Sequence, residues 1–162
     1  MAALTVWQFD SADGAEKILE KITDLIQQQV IEVFDAAIVE WPEGKRKPKT
    51  HQAVSTIGGS TLSGTFWGML FGLIFFVPFV GMAVGAAAGA LSGLFKDYGI
   101  DDDFIKSVRE EITEGTSALF LLTGDVTVDR VHEALQGKMG VLIRSNLSNQ
   151  QQKDLMAAFG DL

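Results

Sequence analysis

Residues 52–95 read QAVSTIGGSTLSGTFWGMLFGLIFFVPFVGMAVGAAAGALSGLF. These 44 residues carry no charge and lie between His51 and Lys96. Pro78 stands near their apolar middle. Proline breaks a helix and biases the residue before it towards an extended form. The stretch therefore reads as a helical hairpin that turns at Pro78, with one arm over roughly Ile57 to Val77 and the other over roughly Phe79 to Phe95. Glycines recur at Gly64, Gly68 and Gly72 in the first arm and at Gly81, Gly85, Gly89 and Gly93 in the second. A spacing of four places them on one face of each helix. Such smooth stripes let helix backbones approach closely. Glycine costs about 1 kcal/mol relative to alanine inside a helix, so close packing against a partner must offset seven of them.

Length bears on where that partner lies. At about 1.5 Å per residue the first arm reaches about 31 Å and the second about 25 Å. A bilayer core is about 30 Å thick. The first arm is rich in large residues, from Phe66 and Trp67 to Phe75 and Phe76, and is long enough to span. The second is mostly Ala and Gly and would pair or re-enter. The competing reading buries the hairpin at the centre of a soluble homo-oligomer. Met1 to Phe9 carries no basic segment, which argues against a signal peptide.

The charge around the stretch is uneven. Residues 1–56 carry −3 and residues 96–162 carry −5, of a net −8. An acidic surface disfavours nucleic acid, which needs a basic footprint. The one basic run is Lys45, Arg46, Lys47 and Lys49, just before the stretch; Lys96 follows it. If the arms span, this bias puts both flanks on the cytoplasmic side, where the run meets anionic headgroups. Read locally, the run is a solvated hairpin loop. There are no cysteines, which excludes disulfides, thiolate nucleophiles and zinc–thiolate sites.

Outside the stretch the chain alternates. Leu4 to Phe9 reads as a strand. Asp10 or Asp13 caps a helix over about Gly14 to Gln28, whose apolar face is Ala15, Ile18, Leu19, Ile22, Leu25 and Ile26. Ala36 to Trp41 is a strand, Pro42 to Gly44 a turn, and Lys49 to Val54 a candidate hairpin partner. Gly99 stops the second arm, and one of Asp101 to Asp103 caps a helix over about Asp102 to Glu114, with Phe104, Ile105, Val108 and Ile112 inward and Gly115 ending it. Ser117 to Thr123 (SALFLLT) is a continuous apolar run and hence a buried strand. Thr127 to Gln136 is a short helix and Met139 to Arg144 a strand. Ser148 and Gln151 have capping-box spacing before a helix over about Asn149 to Phe159. Two strand–helix–strand units, 4–41 and 117–144, predict an α+β fold. It is a ferredoxin-like four-stranded sheet with helices on one face, into which the apolar hairpin is inserted. The division is 1–56 for the first half, 57–95 for the hairpin, and 96–162 for a connecting helix and the second half.

The segments TIGGSTLSGTFWGMLFGLIFF, GMAVGAAAGALSGLFKDYGIDDDFIK and GTSALFLLT resemble a bacterial family of unknown function usually described as a predicted membrane protein. The resemblance also takes in FDAAIVEWPEGKRKPKTHQ and VLIRSNLS. Its most specific part is Gly81 to Asp103, where the glycine ladder runs into Asp97, Gly99, Ile100, Asp102, Asp103 and Phe104. It implies the split layout with a glycine-rich insert. It brings no reaction and no catalytic residue.

Candidate chemical groups are sparse. Asp97, Asp101, Asp102 and Asp103 suit a hard cation by type but lack the calcium-loop spacing, and capping explains them better. Ile57 to Thr61 is glycine-rich before a helix, yet has no phosphate-loop lysine. His51 and His132 have no metal or catalytic spacing, and Ser63 and Ser117 have no activating neighbour in sequence. These patterns point to no catalytic residue, no cofactor and no metal. The expectation is a non-enzymatic structural protein that forms homo-oligomers through its glycine stripes. It would sit at or in the cytoplasmic membrane in contact with lipid, its soluble domain facing the cytoplasm. The alternatives are an oligomeric channel or transporter, and a soluble cytoplasmic homo-oligomer with the hairpins in its core.

Overall fold

The run SALFLLT has no polar face to give to water, so a strand made from it must be covered on both sides. In the computed structural model it lies in a strand of a five-stranded antiparallel sheet. The structure describes residues 2–52, 64–76, 93–124, 129–131, 133 and 142–159. The strands are β1 (Ala2–Phe9), β2 (Val33–Trp41), β3 (Lys49–Gln52), β4 (Thr116–Gly124) and β5 (Leu142–Leu147). Their order is β3-β2-β4-β1-β5. β4 lies between β1 and β2, with Phe120 opposite Val6 on one side and Ala37 on the other.

Helix α1 (Gly14–Gln27) buries Ala15, Ile18, Leu19 and Ile22, as its periodicity predicts. These pack with Ala3, Trp7, Ile38, Leu119 and Leu121 on one face of the sheet. The opposite face, formed by Leu4, Val6, Ala37, Val39, Phe120 and Leu122, is covered as well. Its cover comes from α2 (Gly64–Phe71), the π-helical turn Gly72–Phe76, α3 (Asp102–Glu111) and α4 (Asn149–Phe159). The expected one-sided sheet is thus corrected. Residues from the glycine-rich stretch and after it form the second cover, and the continuous apolar character of β4 follows from burial on both faces.

Several boundaries move. β2 begins at Val33, three residues before the expected start, with a register irregularity between Val33 and Asp35. β3 joins the sheet at its edge, pairing Ile38 with His51 and Glu40 with Lys49. α3 ends at Glu111, and Gly115, at φ +82°, sits in the turn into β4 instead of ending the helix. β5 runs on to Leu147. Of the expected helix over Thr127 to Gln136, residues 129–131 and 133 are described and are helical.

The local stop and start signals behave as their chemistry requires. Asp101 caps α3, its Oδ1 accepting from Phe104 N at 2.9 Å. Ser148 and Gln151 form the capping box: Gln151 N donates to Ser148 Oγ at 3.1 Å and Ser148 N to Gln151 Oε1 at 2.9 Å. Residues 93–97 are helical, and Gly99 ends them at φ +89°. Ile100 N returns to Phe95 O at 2.8 Å and Gly99 N to Lys96 O at 3.0 Å. This is a Schellman closure, with Phe95 and Ile100 both fully buried beneath it. A Cβ on Gly99 would come within 2.9 Å of Asn146 O, so the closure also fixes how close β5 can lie.

Candidate functional site

The described part of the first arm has two faces of opposite character. Phe66, Trp67, Leu70 and Phe71 of α2 are buried, as are Leu73, Ile74 and Phe75 of the π-helical turn. Trp67 meets Phe120 of β4 edge-on with ring centres 6.3 Å apart, and Phe71 meets the same ring at 5.1 Å. Phe66 meets Phe95 at 5.7 Å, which brings the helix over 93–97 against α2. These large side chains are therefore part of the chain's own core.

The glycines turn the other way. Gly64 and Gly68 are exposed and Gly72 is half-buried. A Cβ built on Gly68 or Gly72 meets no described atom within 4 Å, and on Gly64 it meets only Gln52 Oε1 at 3.8 Å. Gly93 is exposed and equally open. Gly81, Gly85, Gly89 and Pro78 lie outside the described residues, as do Ile57 to Thr61 and Ser63.

Two polar contacts fix this segment to the domain. Asp35 is fully buried beside the β2 irregularity. Its Oδ2 accepts from Trp67 Nε1 at 2.8 Å and from Gln52 Nε2 at 3.0 Å, while Oδ1 accepts from Ala36 N at 2.8 Å. A buried carboxyl requires such donors, because leaving it bare costs far more than each bond returns. At the far end Arg109, in the last turn of α3, donates Nη2 to Leu73 O at 2.8 Å and Nε to Ile74 O at 2.9 Å. A guanidinium thus satisfies two carbonyls of the π-helical turn. Sequence reasoning missed both residues. Asp35 had a signal, being a charged residue inside the apolar run VFDAAIV. Arg109 had none, since a cation in the last turn of a helix is ordinary.

The other candidates resolve into structure. Ser117 Oγ donates to Ser11 O at 2.7 Å and accepts from Ala15 N at 2.9 Å, tying β4 to the start of α1. Asp13 does not cap α1 with its side chain; it pairs with Lys17 Nζ at 3.1 Å. The hydrogen bond from Lys17, then that from Ser11, then the charge of Lys17 hold its carboxyl below the usual value. His51 is exposed on β3, and the side chain of His132 lies outside the described residues. Lys45, Arg46, Lys47 and Lys49 are exposed, as the loop reading predicts. Among the described residues no three carboxylate or imidazole side chains gather to hold a metal, and no helix is long and apolar enough to cross a membrane.

Residues 61–160 match the family described as "Protein of unknown function (DUF1269)". The chain belongs to this family. The match takes in the glycine-rich segment and everything to the end of α4, so Trp67 and Arg109 fall inside it. Asp35 and the first three strands fall outside. The resemblance noted above reached back to Phe34; the family match begins at Thr61. No curated protein and no solved structure matches the chain.

Proposed function

We propose that the chain is a non-enzymatic association protein that forms homo-oligomers through the glycine face of its apolar segment, at or in the cytoplasmic membrane. The observation that carries this is the orientation of α2. Its large side chains are used inside the chain's own core, while Gly64 and Gly68 look outward, with no described atom within 4 Å of a Cβ on Gly68 and only Gln52 Oε1, at 3.8 Å, near one on Gly64. A helix that needed only its own protomer would hold Ala there at a gain of about 1 kcal/mol per position. A second helix backbone is the partner that a smooth stripe admits. The ferredoxin-like arrangement belongs to the same reading. The order β2-β4-β1-β5 supports it, with β3 added at one edge and residues 53–111 as the insertion between the halves. The lipid setting is supported by the 44 uncharged residues and the basic flank at Lys45 to Lys49.

Gly68→Leu and Gly72→Leu test the reading, because neither side chain meets a described atom of its own protomer near the new Cβ. Native mass measurement in mild detergent should give an oligomer for the natural chain and monomer for the variants, with unchanged far-ultraviolet dichroism. A monomeric natural chain, or variants that assemble as well as it does, would end the proposal. Extraction of membranes at alkaline pH separates the two settings. Retention in the pellet supports the bilayer, and release supports the soluble assembly with buried hairpins.

A further inference from the structure

Beside the Arg109 contact lies a cleft of about 520 Å³ between β2, the π-helical turn and the end of α3. Among the described residues its apolar walls are the half-buried Trp41 and the edges of Ile74, Phe75 and Ile112, which are otherwise buried. Trp41 and Phe75 stand edge to face, 6.4 Å apart, and make an aromatic corner. The size falls within the range of small-molecule sites, which are apolar with few polar groups. Among the described residues Arg109 is the cation on its lining. Two of its five N–H donors hold Leu73 O and Ile74 O, which fixes the plane of the guanidinium. Its remaining donors are set as a rigid fork, the geometry that suits a carboxylate. Glu114 also lines the cleft, but its Oε2 accepts from Gly44 N at 3.4 Å and is drawn towards the β2–β3 turn. Lys45 is held close by, its carbonyl accepting from Trp41 Nε1 at 2.8 Å.

We propose that this cleft binds a single-chain alkyl carboxylate, the chain against Trp41, Ile74, Phe75 and Ile112 and the carboxylate on Arg109. This site is separate from the glycine face and does not depend on the association reading. An apolar chain gains about 25 cal/mol per Å² removed from water, and the guanidinium selects the charged head over a neutral one.

Photolabelling with a diazirine-bearing alkyl carboxylate tests it on the full chain, in buffer or in membranes alike. The label should map to peptides holding Trp41, Phe75 or Ile112. Decanoate should compete for it, and decanol should compete at least about tenfold less well, in keeping with loss of a charge-assisted hydrogen bond. Arg109→Gln should weaken labelling by about tenfold or more. Because Arg109 also holds the π-helical turn, a second variant is needed. Thr113 lines the cleft from an exposed position, and its hydrogen bonds with Thr116 use only its backbone. Thr113→Trp should fill the mouth and abolish labelling while leaving thermal unfolding unchanged. Label that maps elsewhere, survives Thr113→Trp, or is competed equally by decanol would overturn the proposal.

Discussion

The contact between Asp35 and Trp67 is the sharpest test of how the glycine-rich segment is held. Trp67→Phe removes the indole N–H that reaches Asp35 Oδ2 at 2.8 Å and keeps an aromatic ring at the position. Asp35 is fully buried, so the lost donor leaves one of its acceptor sites short, at about 1–3 kcal/mol. The smaller ring also loosens the contacts with Phe66, Phe71 and Phe120, whose centres lie 5.0, 5.6 and 6.3 Å from that of Trp67. That adds about 1 kcal/mol. The expected total is about 2–4 kcal/mol, and for a chain of this length each kcal/mol lowers the midpoint by about 2–4 °C. Urea unfolding followed by far-ultraviolet dichroism measures it without relying on tryptophan emission. Asp35→Asn and the double variant complete a cycle that isolates the hydrogen bond from the ring volume, with an expected coupling of about 1–2 kcal/mol. A cost below about 0.5 kcal/mol, or a coupling near zero, would refute the claim that this bond holds α2 to the sheet.

Three further outcomes are expected. Gln29 sits at φ +59° closing α1, with Val30 N returning to Leu25 O at 3.0 Å, so Gln29→Gly should raise stability by about 1 kcal/mol in thermal unfolding. Asp101→Ala removes the acceptor for Phe104 N and should cost about 1 kcal/mol by the same measurement. Lys17→Met should move the Asp13 carboxyl back up towards 3.8, read by an NMR titration of its side chain. The Asp13 value is depressed in the folded chain, so its contribution is present above 3.8 and is lost as pH falls through the folded value; with Lys17→Met the two values draw together and this pH-dependent contribution should shrink.

Short-range chemistry was legible and long-range chemistry was not. The capping box at Ser148 and Gln151, the cap at Asp101 and the turn at Gly99 depend on residues within six positions of one another. Their side chains act on the adjacent backbone whatever the rest of the chain does. The apolar faces of α1 and α3 were legible for a similar reason, because a single period fixes them. The second cover of the sheet was not. SALFLLT reads as a buried strand, but the expected sheet carried helices on one face, and only the folded chain shows that α2, α3 and α4 supply the other cover. Asp35 and Arg109 were hidden by separation. Their partners lie 32 and 35 to 36 residues away, beyond any periodicity.

The first arm held two messages at once. Large residues at 66, 67, 70, 71, 74 and 75 and glycines at 64, 68 and 72 both satisfy helical spacing, on different sides. Read from the large residues, the arm is a lipid-facing or core helix; read from the glycines, it is a packing face. The folded chain assigns the large residues to its own sheet and leaves Gly64 and Gly68 exposed. The energetic consequence differs between the two sides. The apolar side is stabilised by burial within the chain's own core and by the bonds from Trp67 to Asp35 and from Arg109 to Leu73 and Ile74. Among the described residues the glycine side makes no contact closer than that of Gly64 with Gln52, and it weakens the helix by about 1 kcal/mol at each position. A sequence keeps such a cost where a gain elsewhere outweighs it. Close approach of a second helix is a gain that a methyl group at those positions would obstruct.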